Sequence, residues 1–170
     1  MKFVILLIKI IDKTSEYVGK FASCFIIIMI AIQFREVVMR YLFARPSVWG
    51  WEVATYLYGA NFILAAPWVL KESRHIRTDF LFARLSKRMQ AILDLCTFST
   101  IFLTFMGLMT HFAIRSAIWS TSILETSFVM SPIPIWPVKI IIAVGFTLLL
   151  LQGLAKITRD IIFLVKGEVI

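Results

Sequence analysis

Few side chains in this sequence could carry chemistry, and they are widely spaced. Glu52 follows Trp49 and Trp51, and Arg35, Glu36 and Arg40 stand shortly before it. The two histidines, His75 and His111, and the two cysteines, Cys24 and Cys96, are the softer metal-binding types. No Ser/His/Asp or Cys/His set falls into one aqueous pocket, and there is no P-loop, Rossmann glycine pattern or HExxH. Haem held between helices usually needs paired histidines, and these two fall near opposite membrane faces. The cysteines form no CxxC pair, so neither a disulfide nor a zinc site is expected, and both read as small buried hydrophobes. The sequence therefore predicts no enzyme, no cofactor and no metal.

What must position these residues is a set of apolar segments. Apolar residues make up 60% of the 170-residue chain and only 16% are charged. Four stretches, over about 18–40, 51–70, 92–115 and 136–156, have the length an α-helix needs to cross a bilayer. The predicted class is an all-α integral membrane protein in a single domain over 1–170. The N-terminal segment is basic and apolar, but Lys9 breaks the run and no small-x-small site follows. It predicts an amphipathic helix on the membrane surface that leads into the first span.

The net charge of +8 is distributed unevenly. Thirteen Lys and Arg fall in the N-terminal segment, the link between spans 2 and 3 and the C-terminal tail, against five on the other side. The positive-inside rule makes that side cytoplasmic, with both termini there. Trp49, Trp51, Trp119 and Trp136 fall at the outer interface and Trp68 near the inner one, the level indole rings prefer. Nucleic-acid binding is not expected, since no basic motif is interleaved with exposed aromatics.

In the link between spans 2 and 3, Leu81, Phe82, Leu85, Met89 and Ile92 share one helical face, flanked by Arg77, Arg84 and Arg88. This predicts an interfacial helix over about 77–90 with its arginines on lipid phosphates, the alternative being an extension of span 3. In the link between spans 3 and 4, Pro132, Pro134 and Pro137 alternate with apolar residues and impose a stiff, extended path. Glu52 and Arg40, at facing ends of spans 1 and 2, are placed to meet. Glu52 reads as a structural ion pair, a helix-dipole carboxylate, a proton-coupling group or a contact to another subunit. Asn61 reads as a cross-helix hydrogen-bonding residue beside the small residues Gly59, Ala60, Ala65 and Ala66.

These features together resemble the small membrane subunit of tripartite ATP-independent periplasmic (TRAP) transporters, the DctQ-like family. The resemblance lies in Arg40-Tyr41-Leu42-Phe43 with Trp49-x-Trp51-Glu52, in the stretch from Lys71 to Asp79 through Arg74-His75-Ile76-Arg77, and in Glu125-Thr126-Ser127 before the prolines. It covers about residues 18–160. Trp51-Glu52-Val53 carries one acid where the family often has two. The resemblance implies a non-catalytic subunit of a sodium-coupled importer in the bacterial inner membrane. Its implied partners are a large membrane permease subunit, a periplasmic substrate-binding protein and the surrounding lipids. Arg40, Trp51 and Glu52 would serve packing and partner contact. Arg74, His75, Arg77 and Asp79 would fix the interfacial helix, and Glu125 and Ser127 would shape the outer surface. Two other readings remain: a stand-alone proton-coupled transporter using Glu52, and a membrane anchor of a redox complex.

Overall fold

The computed structural model describes residues 2–72, 89, 96, 98–128 and 132–166. They form four long helices, with no strand among the described residues: α1 (Lys2–Tyr41), α2 (Val48–Glu72), α3 (Leu103–Ser122) and α4 (Trp136–Lys166). A π-helical turn, Phe98–Phe102, leads into α3. By length and composition each helix can cross a membrane. In lipid no water is present to satisfy an open backbone, so each chain segment closes its own hydrogen bonds as a helix.

The amphipathic segment expected at the N-terminus is helical, but it is continuous with the first span. No proline interrupts residues 2–41, and Gly19 is the sole glycine there. At 1.5 Å per residue, α1 is about 60 Å long, roughly twice a hydrocarbon core. Helix α3 outruns its expected span and reaches Ser122. Its polar end resembles a link in sequence, yet Thr121 and Ser122 turn their hydroxyls back onto the Ala117 and Trp119 carbonyls, 2.7 Å each. Helix α4 opens on Trp136-Pro137, where the missing proline N–H costs nothing. Most of the interfacial helix expected over 77–90 lies outside the described residues.

The helices pack antiparallel along the chain. Helix α1 lies against α2, α2 against α4, and α4 against α3, with a smaller contact between α1 and α4. Helix α4 is the most enclosed, with 39% of its spanning window buried against 11% for α1 and α3. Small residues fill the crossings: Ala22, Ala54, Ala60, Ala117, Ala143 and Ala155 are all buried. Between lipid-embedded helices the hydrophobic effect supplies little, so close backbone approach and dispersion must hold them together.

The α2–α4 crossing sets a glycine of one helix against a proline turn of the other. Pro67, fully buried in α2, cannot donate to the carbonyl four residues earlier, that of Ile63. Gly145 of α4 lies against that residue. A Cβ there would stand 2.7 Å from Ile63 Cγ1 and 3.1 Å from the Ile63 carbonyl oxygen. The Gly145 Cα hydrogen thus faces the carbonyl that the proline leaves open, a weak hydrogen bond of the kind found at helix interfaces. Gly19 meets Trp68 and Gly153 meets Phe102 in the same close manner.

Cys24 and Cys96 are both exposed, which corrects their reading as buried hydrophobes. A thin bundle in lipid is as apolar outside as inside, so hydropathy does not tell the two faces apart.

Replacing Gly145 with Leu is expected to separate α2 from α4 and lower stability by about 1–3 kcal/mol. Thermal unfolding in detergent, wild type against Gly145→Leu, measures this; an unchanged midpoint would contradict the packing described.

Candidate functional site

Two polar clusters close the bundle, one at each end. The first joins the N-terminal part of α1 to the ends of α2 and α4. Gln152, 1% exposed, donates to Asp12 Oδ1 at 2.8 Å and accepts from the Ser15 hydroxyl at 3.0 Å. Arg159 pairs with the other oxygen of Asp12. Lys71 of α2 reaches Glu16 of α1 at 2.7 Å, and Lys20 pairs with the same carboxylate. These contacts bring the N- and C-terminal parts of the described chain to one end of the bundle, called here the terminal end. None of Asp12, Ser15, Gln152 or Arg159 is singled out by the sequence reading. The available signal is Gln152 itself, an amide inside the run Leu148–Leu151 and Gly153–Ala155.

The second cluster lies at the opposite, loop end and contains several predicted residues. The expected pairing of Glu52 with Arg40 does not form. Arg40 instead approaches Glu36, one helical turn earlier, at 3.7 Å. Glu36 is 5% exposed and takes the backbone N–H of Ser47 at 3.0 Å as well as its hydroxyl. Ser47 directly precedes α2, so a carboxylate sits at that helix's positive end. Helix-dipole compensation, one of the roles considered for Glu52, thus falls to Glu36. Arg35 lies over the Trp49 ring at 4.9 Å and completes the corner.

Glu52 accepts from the Tyr56 hydroxyl at 2.6 Å, again one turn away on its own helix. Its other oxygen, Oε2, is buried and accepts no hydrogen bond from a described residue. Tyr56 also hydrogen-bonds Ser127, which ties the loop between α3 and α4 to α2. Backbone contacts hold the described parts of that loop together. Ser127 N–H donates to the Ile133 carbonyl at 2.8 Å and Ile135 N–H to the Glu125 carbonyl at 2.9 Å, around a bridge between Thr126 and Pro134. Glu125 pairs with Lys139 of α4, and Lys139 stands 5.8 Å over the Trp119 ring. The Lys139 ammonium beside it holds the Glu125 carboxyl below the usual carboxylate range.

Glu52, Glu125 and Ser127 are therefore brought together, while Arg40 lies in the neighbouring Glu36 corner with its side chain 60% exposed. Trp51 is 71% exposed. Arg74, His75, Arg77 and Asp79 lie outside the described residues. Among the described residues no group of three or more His, Cys, Asp or Glu is placed to hold a metal ion. Asn61, half-buried, makes no side-chain hydrogen bond to another described residue.

The two clusters lie at a constant separation along the helices. Glu16 and Glu36 on α1 are twenty residues apart, as are Lys139 and Arg159 on α4, and Glu52 and Lys71 on α2 are nineteen apart. Each interval is about 30 Å of helix, the thickness of a hydrocarbon core. Between Glu52 and Lys71, α2 carries no charged residue. The arrangement can anchor and present surfaces, and it offers no assembled set for bond-making chemistry among the described residues.

A family model described as the DctQ component of tripartite ATP-independent periplasmic transporters matches residues 29–162. A comparison with curated proteins gives no match.

Because the folded state depresses the Glu125 pKa, the pair with Lys139 stabilises the protein above the ordinary carboxylate range. That contribution is lost as pH falls through the depressed value. The unfolding midpoint of wild type is expected to exceed that of Lys139→Gln near neutral pH, with the gap closing as pH falls below the ordinary carboxylate range. A gap independent of pH would contradict the assignment. Gln152→Leu leaves the buried Ser15 hydroxyl without its cross-helix partner and takes one of two contacts from Asp12, and is expected to cost about 1–3 kcal/mol in the same assay.

Proposed function

We propose a role that proceeds from one premise: this chain belongs to the DctQ family, the small component of TRAP transporters. It is a multi-pass membrane protein. On that footing we read it as a non-catalytic brace. It would hold the static part of a large membrane permease subunit against the bilayer while substrate and sodium move elsewhere.

The observation that carries this reading is the placement of polar contacts. Most of them join helices at two levels, and the layer between is packed chiefly by alanine, glycine and leucine, with a hydrogen bond from the Thr110 hydroxyl of α3 to the Phe146 carbonyl of α4. Such a bundle is cross-braced at both ends and resists internal sliding. A carrier would instead place convergent polar groups or broken helices near its midplane. Helices α1 and α3 leave long apolar faces open, including Phe21, Ile27, Ile30 and Phe34 on one and Phe105, Leu108 and Phe112 on the other. Those faces suit lipid and a large membrane partner.

At the loop end, Arg40 and Trp51 project outward and Glu52 keeps one buried carboxylate oxygen open. We place the contact with the large subunit at these residues. The turn that contains Glu125 and Ser127, with Phe128 fully exposed beside it, would help receive a periplasmic substrate-binding protein. This orientation puts both termini in the cytoplasm of a bacterium and the chain in its inner membrane, as the basic terminal segments favour. Arg74, His75, Arg77 and Asp79 would anchor the connection between α2 and α3 at the cytoplasmic surface.

Co-purification tests the contact. Glu52→Ala and Arg40→Ala in this subunit are each expected to reduce recovery of the large subunit, equivalent to about 1–2 kcal/mol. Full recovery with both variants would remove these residues from the interface. Reconstituting the chain alone tests the role: no solute flux is expected, and flux without a partner would favour a stand-alone transporter that uses Glu52.

A further inference from the structure

At the terminal end the helices do not close completely. A cavity of about 310 Å³ opens between α1, α2 and α4. Ile5 and Ile8 form its apolar wall, and Lys9, Asp12, Lys71, Glu72 and Arg159 form its polar one. None of the contacts proposed for the large subunit or for the substrate-binding protein uses it.

The charges around this cavity are not balanced. Asp12 is already engaged by Arg159 and Gln152. Lys71 sits between Glu16 at 2.7 Å and Glu72 at 3.8 Å, with 23% of its side chain exposed. Lys9 makes no ion pair with another described residue and faces the same space. Asp12 is thus spent on Arg159, and Glu16 and Glu72 on Lys71, which leaves Lys9 as the lining cation with no acid beside it among the described residues.

Depth narrows the choice of ligand. Asp12 and Arg159 lie at the edge of the roughly 30 Å layer between the polar clusters, and Lys9 lies nearly one turn beyond Asp12. That is the level of lipid phosphates. Phe3, Leu6 and Ile10 are exposed on the same stretch of α1, so the rim is apolar. A water-soluble anion gains nothing from such a rim, whereas a lipid buries its glycerol and first methylenes there. Basic pockets between helices at a membrane surface are suited to anionic headgroups.

We propose that this cavity binds the headgroup of an anionic glycerophospholipid, with its phosphate on Lys9 and Lys71 and its glycerol against Ile5 and Ile8. The site fixes one lipid at the junction of three helices.

Native mass spectrometry of the delipidated full chain, titrated with phosphatidylglycerol or phosphatidylcholine, tests this. Wild type is expected to hold phosphatidylglycerol at least about five-fold more tightly, the effect of roughly one well-placed cation. Lys9→Gln should remove that margin, and it disturbs no ion pair between described residues. Glu72→Gln removes a competing acid and should raise the margin. Equal binding of the two lipids, an unchanged margin in Lys9→Gln, or displacement of the lipid by equimolar inorganic phosphate would each overturn the proposal. These outcomes are independent of whether the large subunit co-purifies.

Discussion

The separation of the polar clusters is the constraint on which the rest of the structure depends. A helix in lipid satisfies its backbone internally, but a charged side chain in the hydrocarbon has no comparable refuge. Here the cross-helix ion pairs and carboxylate contacts gather at two levels about 30 Å of helix apart. Lys20 and Lys156 fall a turn inside those levels, where long stems let the ammonium reach outward. The helices longer than this interval, α1 and α4, spend their excess length at the terminal end. It is there that Asp12, Ser15, Gln152 and Arg159 clasp them together.

The two ends achieve closure by different means. At the terminal end a buried amide serves both a carboxylate and a hydroxyl from another helix, so α1 is held to α4 across 140 residues of chain. At the loop end the contacts tie the connecting segments to the helices beside them. Glu36 fixes the corner between α1 and α2, and Tyr56 with Ser127 docks the turn onto α2. Between them lies a layer of small residues in which Gly145 presses on the carbonyl that Pro67 leaves open. Ser15, Gln152 and Glu36 are buried, so breaking their contacts leaves a polar group without a partner, which favours a single fixed arrangement. A fixed arrangement is what a bracing subunit requires.

Much of this was legible in the residues. The four apolar stretches correspond to the four helices. Tryptophan placement agrees as well: Trp49, Trp51, Trp119 and Trp136 all fall at the loop end and Trp68 toward the other. The pairings were not legible. Glu52 and Arg40 stand at matching depth, but each found a nearer partner one turn away on its own helix, Tyr56 and Glu36. Local i,i+4 geometry needs no interhelical rotation, and that rotation is invisible in sequence. The same ignorance of rotation concealed the Asp12–Gln152–Arg159 network and misplaced Cys24 and Cys96. The family membership came from motif order and not from any assembled chemistry, because the side chains that anchor this bundle are ordinary ones.

Proximity of the two chain ends is the claim tested most directly by covalent linkage. In a chain with Cys24 and Cys96 replaced by alanine, Ser15→Cys and Gln152→Cys are introduced and treated in membranes with a short bifunctional thiol reagent. Formation of an intramolecular cross-link, seen as a compact, faster-migrating species, is the predicted result. If each cysteine reacts singly yet none become joined, α1 and α4 do not meet there and the account fails.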